Sequence, residues 1–198
     1  GIVGAGNCGS HVARVARALG MEVRLNDPPL ARATGDPAYL PLEALMDCDY
    51  LALHVPLTAQ GEDATRGLVH AGVLAALKPG AMIINACRGF VLDEPALAAA
   101  LDRNHLAGAI LDAWEREPCI DAELLRRTMI ATPHIAGYSF DGKINGTLAI
   151  YAAACRYFGL EPQDFDLKLP AATVPVIELD ARGRKADSVL AELVQTAY

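Results

Sequence analysis

GIVGAGNCGS, residues 1–10, decides the fold: the apolar pair Ile2 and Val3 runs into Gly4, Gly6 and Gly9, spaced as G-x-G-x-x-G, and a helix-forming stretch follows at once. Each glycine has its own physical task in such a turn. The first lets the chain reverse tightly, the second lets backbone approach a pyrophosphate, and the third lets helix and strand pack closely. The N–H groups that open the next helix have no acceptor within it and face the phosphates, so Asn7 and Cys8 are expected to contribute mostly through their backbones. The spacing alone also fits an ordinary strand-to-helix turn. Asp27 shifts the balance, because it stands 18 residues after Gly9 at the end of the next strand-like run. A carboxylate there accepts hydrogen bonds from the adenosine ribose hydroxyls and repels a 2′-phosphate, and no arginine follows immediately, so NAD is the expected cofactor. The other reading of Asp27 is a turn residue before Pro28.

Outward from this turn, short apolar runs alternate with amphipathic stretches. Residues 2–4, 22–26, 50–55, 81–86, 106–113 and 128–133 read as strands, while 11–19, 68–77, 94–103 and 122–127 carry apolar positions at helical spacing. The series is βαβ, and strands without clean alternation are covered on both faces. A doubly wound α/β fold with a parallel sheet is therefore expected. Turn signals punctuate it at Asp27-Pro28-Pro29, Lys78-Pro79-Gly80, Glu117-Pro118 and Thr132-Pro133. The pattern changes after Gly142. Residues 143–158 read as one long helix closed by Gly159, 174–179 as a strand, 180–184 as a turn, and 186 onward as a helix.

Composition narrows the function classes. The formal net charge is −7, which disfavours nonspecific attraction to nucleic acid or to anionic membrane surfaces. No apolar run approaches the ~18 to 20 residues of a membrane span. The five cysteines, Cys8, Cys48, Cys87, Cys119 and Cys155, lack C-x-x-C spacing and a nearby histidine ladder, so neither a disulfide framework nor a metal site is indicated and a reducing cytoplasm is expected.

Three polar residues follow strands directly, at the carboxyl edge where an open parallel sheet builds its site: Arg88 after IINAC, Glu117 after LDAWER and His134 after IATP. An arginine offers a planar fork of donors to a carboxylate. A glutamate beside a histidine favours imidazolium and fixes its tautomer, which makes a proton relay. Together with a nicotinamide these groups describe oxidation of a 2-hydroxy acid. Taken singly, each also fits a surface or turn role. Asp112 ends an apolar strand and is read either as a contact to the nicotinamide amide or as a capping or turn aspartate. His11, His54, His70 and His105 lack comparable company and are read as structural or surface residues.

GIVGAGNCG, HVPLT, INACRG, LDAWEREP and TPHIAGYS together resemble the D-isomer-specific 2-hydroxyacid dehydrogenase family over residues 1 to about 150. The resemblance implies hydride transfer between substrate C2 and NAD, with Arg88, Glu117 and His134 as the catalytic set and His134 accepting the hydroxyl proton. It also implies that Val55, Ala86, Cys87, Arg88, Asp112 and Gly137 line the cofactor, partly through backbone, and that Tyr138 reaches the substrate. Core packing is the other reading of Tyr138, and Lys143 is read as a helix-surface lysine or a phosphate contact. NACRG, the insertion around residues 61–65 and HIAGYSFDGK resemble a branch that oxidises 4-phospho-D-erythronate to 2-oxo-3-hydroxy-4-phosphobutanoate in pyridoxal phosphate biosynthesis. Another 2-hydroxy acid, such as 3-phosphoglycerate or glyoxylate, and a module that binds NAD as a regulatory signal are the alternatives. On this resemblance residues 1–142 form the NAD-binding domain with its first strand cut short. Residues 143–160 are a helix linking to a substrate domain made largely from an upstream segment, and 161–198 begin a dimerisation domain of a homodimer.

Overall fold

The apolar runs form β1 (Ile2–Val3), β2 (Leu25–Asn26), β3 (Tyr50–Leu53), β4 (Met82–Asn85), β5 (Gly108–Leu111) and β6 (Ile130–Ala131) in a computed structural model, which describes residues 1–164 and 176–197. All neighbours pair in parallel, in the order β2-β1-β3-β4-β5-β6. The chain leaves β1 for β2 on one side and returns to β3 on the other, so the order reverses between β1 and β3. In an open α/β sheet that reversal opens a crevice at the strands' carboxyl ends. Register does the rest. Val3 pairs with Asn26 and Leu53, Leu53 with Asn85, Asn85 with Leu111, and Leu111 with Ala131. The residues that follow, Gly4, Asp27, His54, Ala86, Asp112 and Thr132, therefore share one rim of the sheet.

The strands are shorter than the apolar runs that mark them, because the backbone leaves the ladder to build that rim. Beyond β5, for example, the N–H groups of Asp112 and Ala113 both reach the Asn85 carbonyl, at 2.9 and 3.4 Å, instead of stepping along β4.

The helices are α1 (Asn7–Ala18), α2 (Pro28–Thr34), α3 (Ala71–Ala76), α4 (Glu94–Asp102), α5 (Ala122–Arg127), α6 (Phe140–Phe158) and α7 (Ala186–Ala197). Asp27-Pro28-Pro29, expected as a turn, starts α2. Proline lacks only an N–H that the first helical turn leaves unpaired, and Asp27 Oδ1 accepts from Leu30 N–H at 3.0 Å as the cap. Aspartates also cap α4 and α5, where Asp93 accepts from Ala96 N–H and Asp121 from Glu123 N–H. The strand expected over 174–179 begins outside the described residues, and 176–180 are not in a strand.

Leu51, Leu53, Ile83, Leu97, Leu111 and Leu124 are fully buried, drawn from three strands and two helices. Each such side chain contributes roughly 1.5–3 kcal/mol on leaving water. The chain divides into two compact units, Gly1–Thr147 and Leu148–Tyr198, and every candidate site residue lies in the first. Among the described residues no helix is long and apolar enough to cross a membrane.

Candidate active site

The glycine turn lines a cavity of about 440 Å³ with Asp27, Val55, Pro56 and Thr58, at the β1/β3 reversal. Gly4 and Gly6 border it, and Gly6 precedes Asn7 and Cys8, which open α1 and are exposed. Gly9 permits close packing of helix on strand, since a Cβ there would stand 1.9 Å from the Gly4 carbonyl oxygen. A Cβ at Gly6 would meet no atom within 4 Å, so open space stands where a pyrophosphate approaches. Asp27 is tied to the same turn, for its Oδ2 accepts from Ala5 N–H at 2.8 Å. A carboxylate has about four lone-pair directions, so two remain for ribose hydroxyls. The residues present fit a dinucleotide. His54, set aside in the sequence, also lines this cavity; burial holds its imidazole below the ordinary histidine value, and its Nε2 has no hydrogen-bond partner among the described residues.

At the end of β4, Asn85 builds the next loop. Its Oδ1 accepts from Cys87 N–H at 3.1 Å and its Nδ2 donates to the Arg88 carbonyl at 3.1 Å. Ala86 is half-buried, and Cys87 is buried, with burial pushing its thiol up, so this cysteine stays protonated. Arg88 is exposed, and its guanidinium donates to the Cys87 carbonyl at 2.6 Å. Gly89 then presses on the loop after β5. A Cβ at Gly89 would lie 2.0 Å from Trp114 backbone, so the Arg88 loop and the Glu117 loop meet without side chains between them.

The third loop carries the acid–base pair. His134 Nδ1 lies 2.7 Å from Glu117 Oε2, while Glu117 Oε1 accepts from Trp114 N–H at 2.7 Å. Both Glu117 oxygens are thus engaged, and the imidazole is held through Nδ1, which leaves Nε2 as its open end. His134 has φ +57°, a left-handed conformation that histidine adopts more readily than most residues. Its own N–H donates to the Asp112 carbonyl at 2.9 Å. Asp112 is buried, and its carboxylate accepts from Thr132 Oγ1 at 2.6 Å, Ile135 N–H at 2.7 Å and Ala136 N–H at 2.8 Å. Of the two sequence readings of Asp112, its hydrogen bonds match the turn role: it clamps the loop on both sides of His134. Burial alone pushes its carboxyl up, but those hydrogen bonds outweigh burial and hold it below the ordinary value. Beside the pair, Trp114, Ile120, Thr132 and Pro133 line a second cavity of about 420 Å³.

Gly137 and Tyr138 are exposed; Tyr138 is 69% accessible and so does not pack into the core of this chain, and Lys143 Nζ sits 3.4 Å from its ring centre. A cation over that face gains electrostatic attraction from the ring. Sequence reasoning missed Asn85 and a reciprocal clasp in which Glu94 N–H donates to Glu115 and Glu115 N–H donates to Glu94, at 3.0 and 2.7 Å. A polar residue ending an apolar strand was the available signal for Asn85. Nothing local in the sequence pairs residues 94 and 115.

Glu117 gives a pH-dependent expectation. Burial raises its carboxyl, but the hydrogen bonds from His134 and Trp114, with the imidazole's charge, outweigh burial and hold it below the ordinary glutamate value. A depressed native value means that the folded state binds fewer protons. Its stabilisation is present above the ordinary carboxylate range and fades as pH falls through the native value. Urea unfolding at about pH 6 and about pH 3 should therefore show a smaller acid loss in Glu117→Gln than in the unaltered chain. Equal losses would contradict the assignment.

The profile of the D-isomer specific 2-hydroxyacid dehydrogenase NAD binding domain matches residues 1–136. An erythronate-4-phosphate dehydrogenase from Ectopseudomonas mendocina (strain ymp) is 44% identical over 200 aligned positions, covering all of this chain and 52% of that protein. One from Salinibacter ruber (strain DSM 13855 / M31) is 44% identical and is covered over 53% of its length. Among solved structures, a glyoxylate reductase from Paecilomyes thermophila superposes with a TM-score of 0.66 at 31% identity, over 80% of this chain and 49% of that one. The chain thus spans about half the length of the curated relatives it matches.

Proposed function

The chain belongs to the D-isomer specific 2-hydroxyacid dehydrogenase family, and from that premise we propose that it acts within a full-length NAD-dependent enzyme that oxidises 4-phospho-D-erythronate at C2 to 2-oxo-3-hydroxy-4-phosphobutanoate. The observation that carries the reading is the 2.7 Å contact between His134 Nδ1 and Glu117 Oε2. It leaves Nε2 to take the C2 hydroxyl proton, and the adjacent carboxylate balances the imidazolium that results. Arg88 binds the substrate carboxylate through its guanidinium fork and offsets negative charge on the reacting oxygen. Tyr138 and Lys143 turn a hydroxyl and a cation toward the substrate's phosphate end. Gly6 backbone, Asp27 and Val55 hold the dinucleotide. NAD, when bound, supplies the hydride acceptor. The family resemblance adds a cytoplasmic homodimer to the proposal.

Relatives at 44% identity that bear the erythronate-4-phosphate dehydrogenase name support this substrate over other 2-hydroxy acids. The test is NADH formation by the full-length protein on 4-phospho-D-erythronate, 3-phosphoglycerate and glycolate. A kcat/KM for the first that exceeds the others by about a hundredfold or more is expected, because 3-phosphoglycerate lacks the C3 hydroxyl and brings its phosphate one carbon short, and glycolate lacks both groups. Faster turnover of another acid would replace the substrate. Binding of NAD without NADH formation from any 2-hydroxy acid would point to the regulatory module instead.

A further inference from the structure

One end of the nucleotide cavity is acidic. Glu62 and Asp63 line it together with Asp27, on a loop that joins β3 to α3. That loop is fastened to itself: Thr58 N–H donates to Thr65 Oγ1 at 2.8 Å, Thr65 N–H to the Thr58 carbonyl at 2.9 Å, and Thr58 Oγ1 to the Asp63 carbonyl at 3.0 Å. The backbone that carries the two carboxylates is therefore held in place. On the facing side is Arg32 of α2, the helix that Asp27 caps. Its guanidinium pairs with Asp63 and lies 3.6 Å from Glu62. Arg32 is not among the cavity's lining residues, whereas both of its partners are.

We propose that Glu62 and Asp63 determine cofactor specificity by occupying Arg32, so that a 2′-phosphate would meet three carboxylates and no available guanidinium, while a 2′-hydroxyl is accepted by Asp27. A guanidinium one turn beyond the ribose aspartate is the natural partner for such a phosphate, since Arg–phosphate pairs are strong and bidentate. Half-exposed ion pairs of this kind stabilise a fold little. Their consequence here is positional, because they withdraw the cation and line the pocket with its counter-charges. The inference rests on reading this cavity as the adenosine end of the NAD site.

Calorimetric titration of the chain with ADP-ribose and with 2′-phospho-ADP-ribose tests it. The unaltered chain should prefer ADP-ribose by about a hundredfold or more, as like charges brought together cost several kcal/mol. Glu62→Gln with Asp63→Asn should reduce that preference by about tenfold or more, with ADP-ribose affinity kept within about threefold, and adding Arg32→Met should restore most of the preference. An unchanged preference in the double variant, or an equal reduction whether or not Arg32 is present, would overturn the proposal. If the Asp63 change weakens ADP-ribose binding, Glu62→Gln alone decides: by loosening the hold on the guanidinium it should reduce the preference by about threefold or more with Arg32 present and not in the Arg32→Met background, and equal preferences in the two backgrounds would overturn the proposal. No binding of ADP-ribose to the unaltered chain would instead sink the underlying reading of the cavity.

Discussion

Replacing His134 by Asn in the full-length protein should lower kcat by about 10²- to 10⁴-fold, the usual contribution of a positioned acid–base group, while NAD affinity changes little. Asparagine is the informative choice. The backbone at 134 has φ +57°, and asparagine tolerates that left-handed region about as well as histidine does, so the turn clamped by Asp112 persists. An alanine would add backbone strain and confuse loss of chemistry with loss of structure. Stopped-flow turnover, with NAD binding measured in parallel, reads the two effects separately. Turnover within about threefold of the original would remove His134 from the proton transfer.

A second substitution should act on the cofactor rather than the chemistry. Alanine at Gly9 would place its Cβ 1.9 Å from the Gly4 carbonyl oxygen, a distance that no rotamer relieves, so the turn and the start of α1 must separate. Overpacking of this kind costs about 1–3 kcal/mol, and for a chain of this size that lowers Tm by roughly 5 °C. Because the same shift moves the N–H groups that face the phosphates, NAD affinity should also fall, by about a hundredfold. Alanine at Gly6 makes the contrast. Its Cβ meets no atom within 4 Å of the folded chain, so Tm should hold while the methyl group intrudes on the bound pyrophosphate and weakens NAD. Parallel thermal melts and NAD titrations distinguish the two glycines. Equal effects of both substitutions on Tm would contradict their separate roles.

The parallel sheet and its order of elements were legible because each depends on local pattern. Apolar runs without alternation mark doubly covered strands, and the glycine spacing marks the first crossover. Asp27 and Asp112 were legible at the rim for the same reason, since a polar residue directly after such a run stands at the sheet's carboxyl edge, whereas His54, equally placed after β3, was read as structural or surface. Helix α2 was not. Asp27-Pro28-Pro29 carries the signature of a turn and of a helix start alike, and only the hydrogen bond from Leu30 N–H to Asp27 tells them apart. The partners of Asp112 were hidden too, because its three donors come from residues 132–136, brought next to it by the β5–β6 pairing. The ties of Arg32 to Glu62 and Asp63, and of Glu94 to Glu115, are likewise products of tertiary placement, which no spacing along the chain encodes.

The most direct measurement is a crystal structure of the unaltered full-length protein with NADH and 4-phospho-D-erythronate, a pair in which both partners are already reduced and no hydride can pass. His134 Nε2 should lie within about 3.2 Å of the C2 hydroxyl oxygen, with Glu117 still on Nδ1 and the Arg88 fork on the substrate carboxylate. A C2 hydroxyl lying more than about 6 Å from Nε2, or a substrate carboxylate bound away from Arg88, would contradict the account.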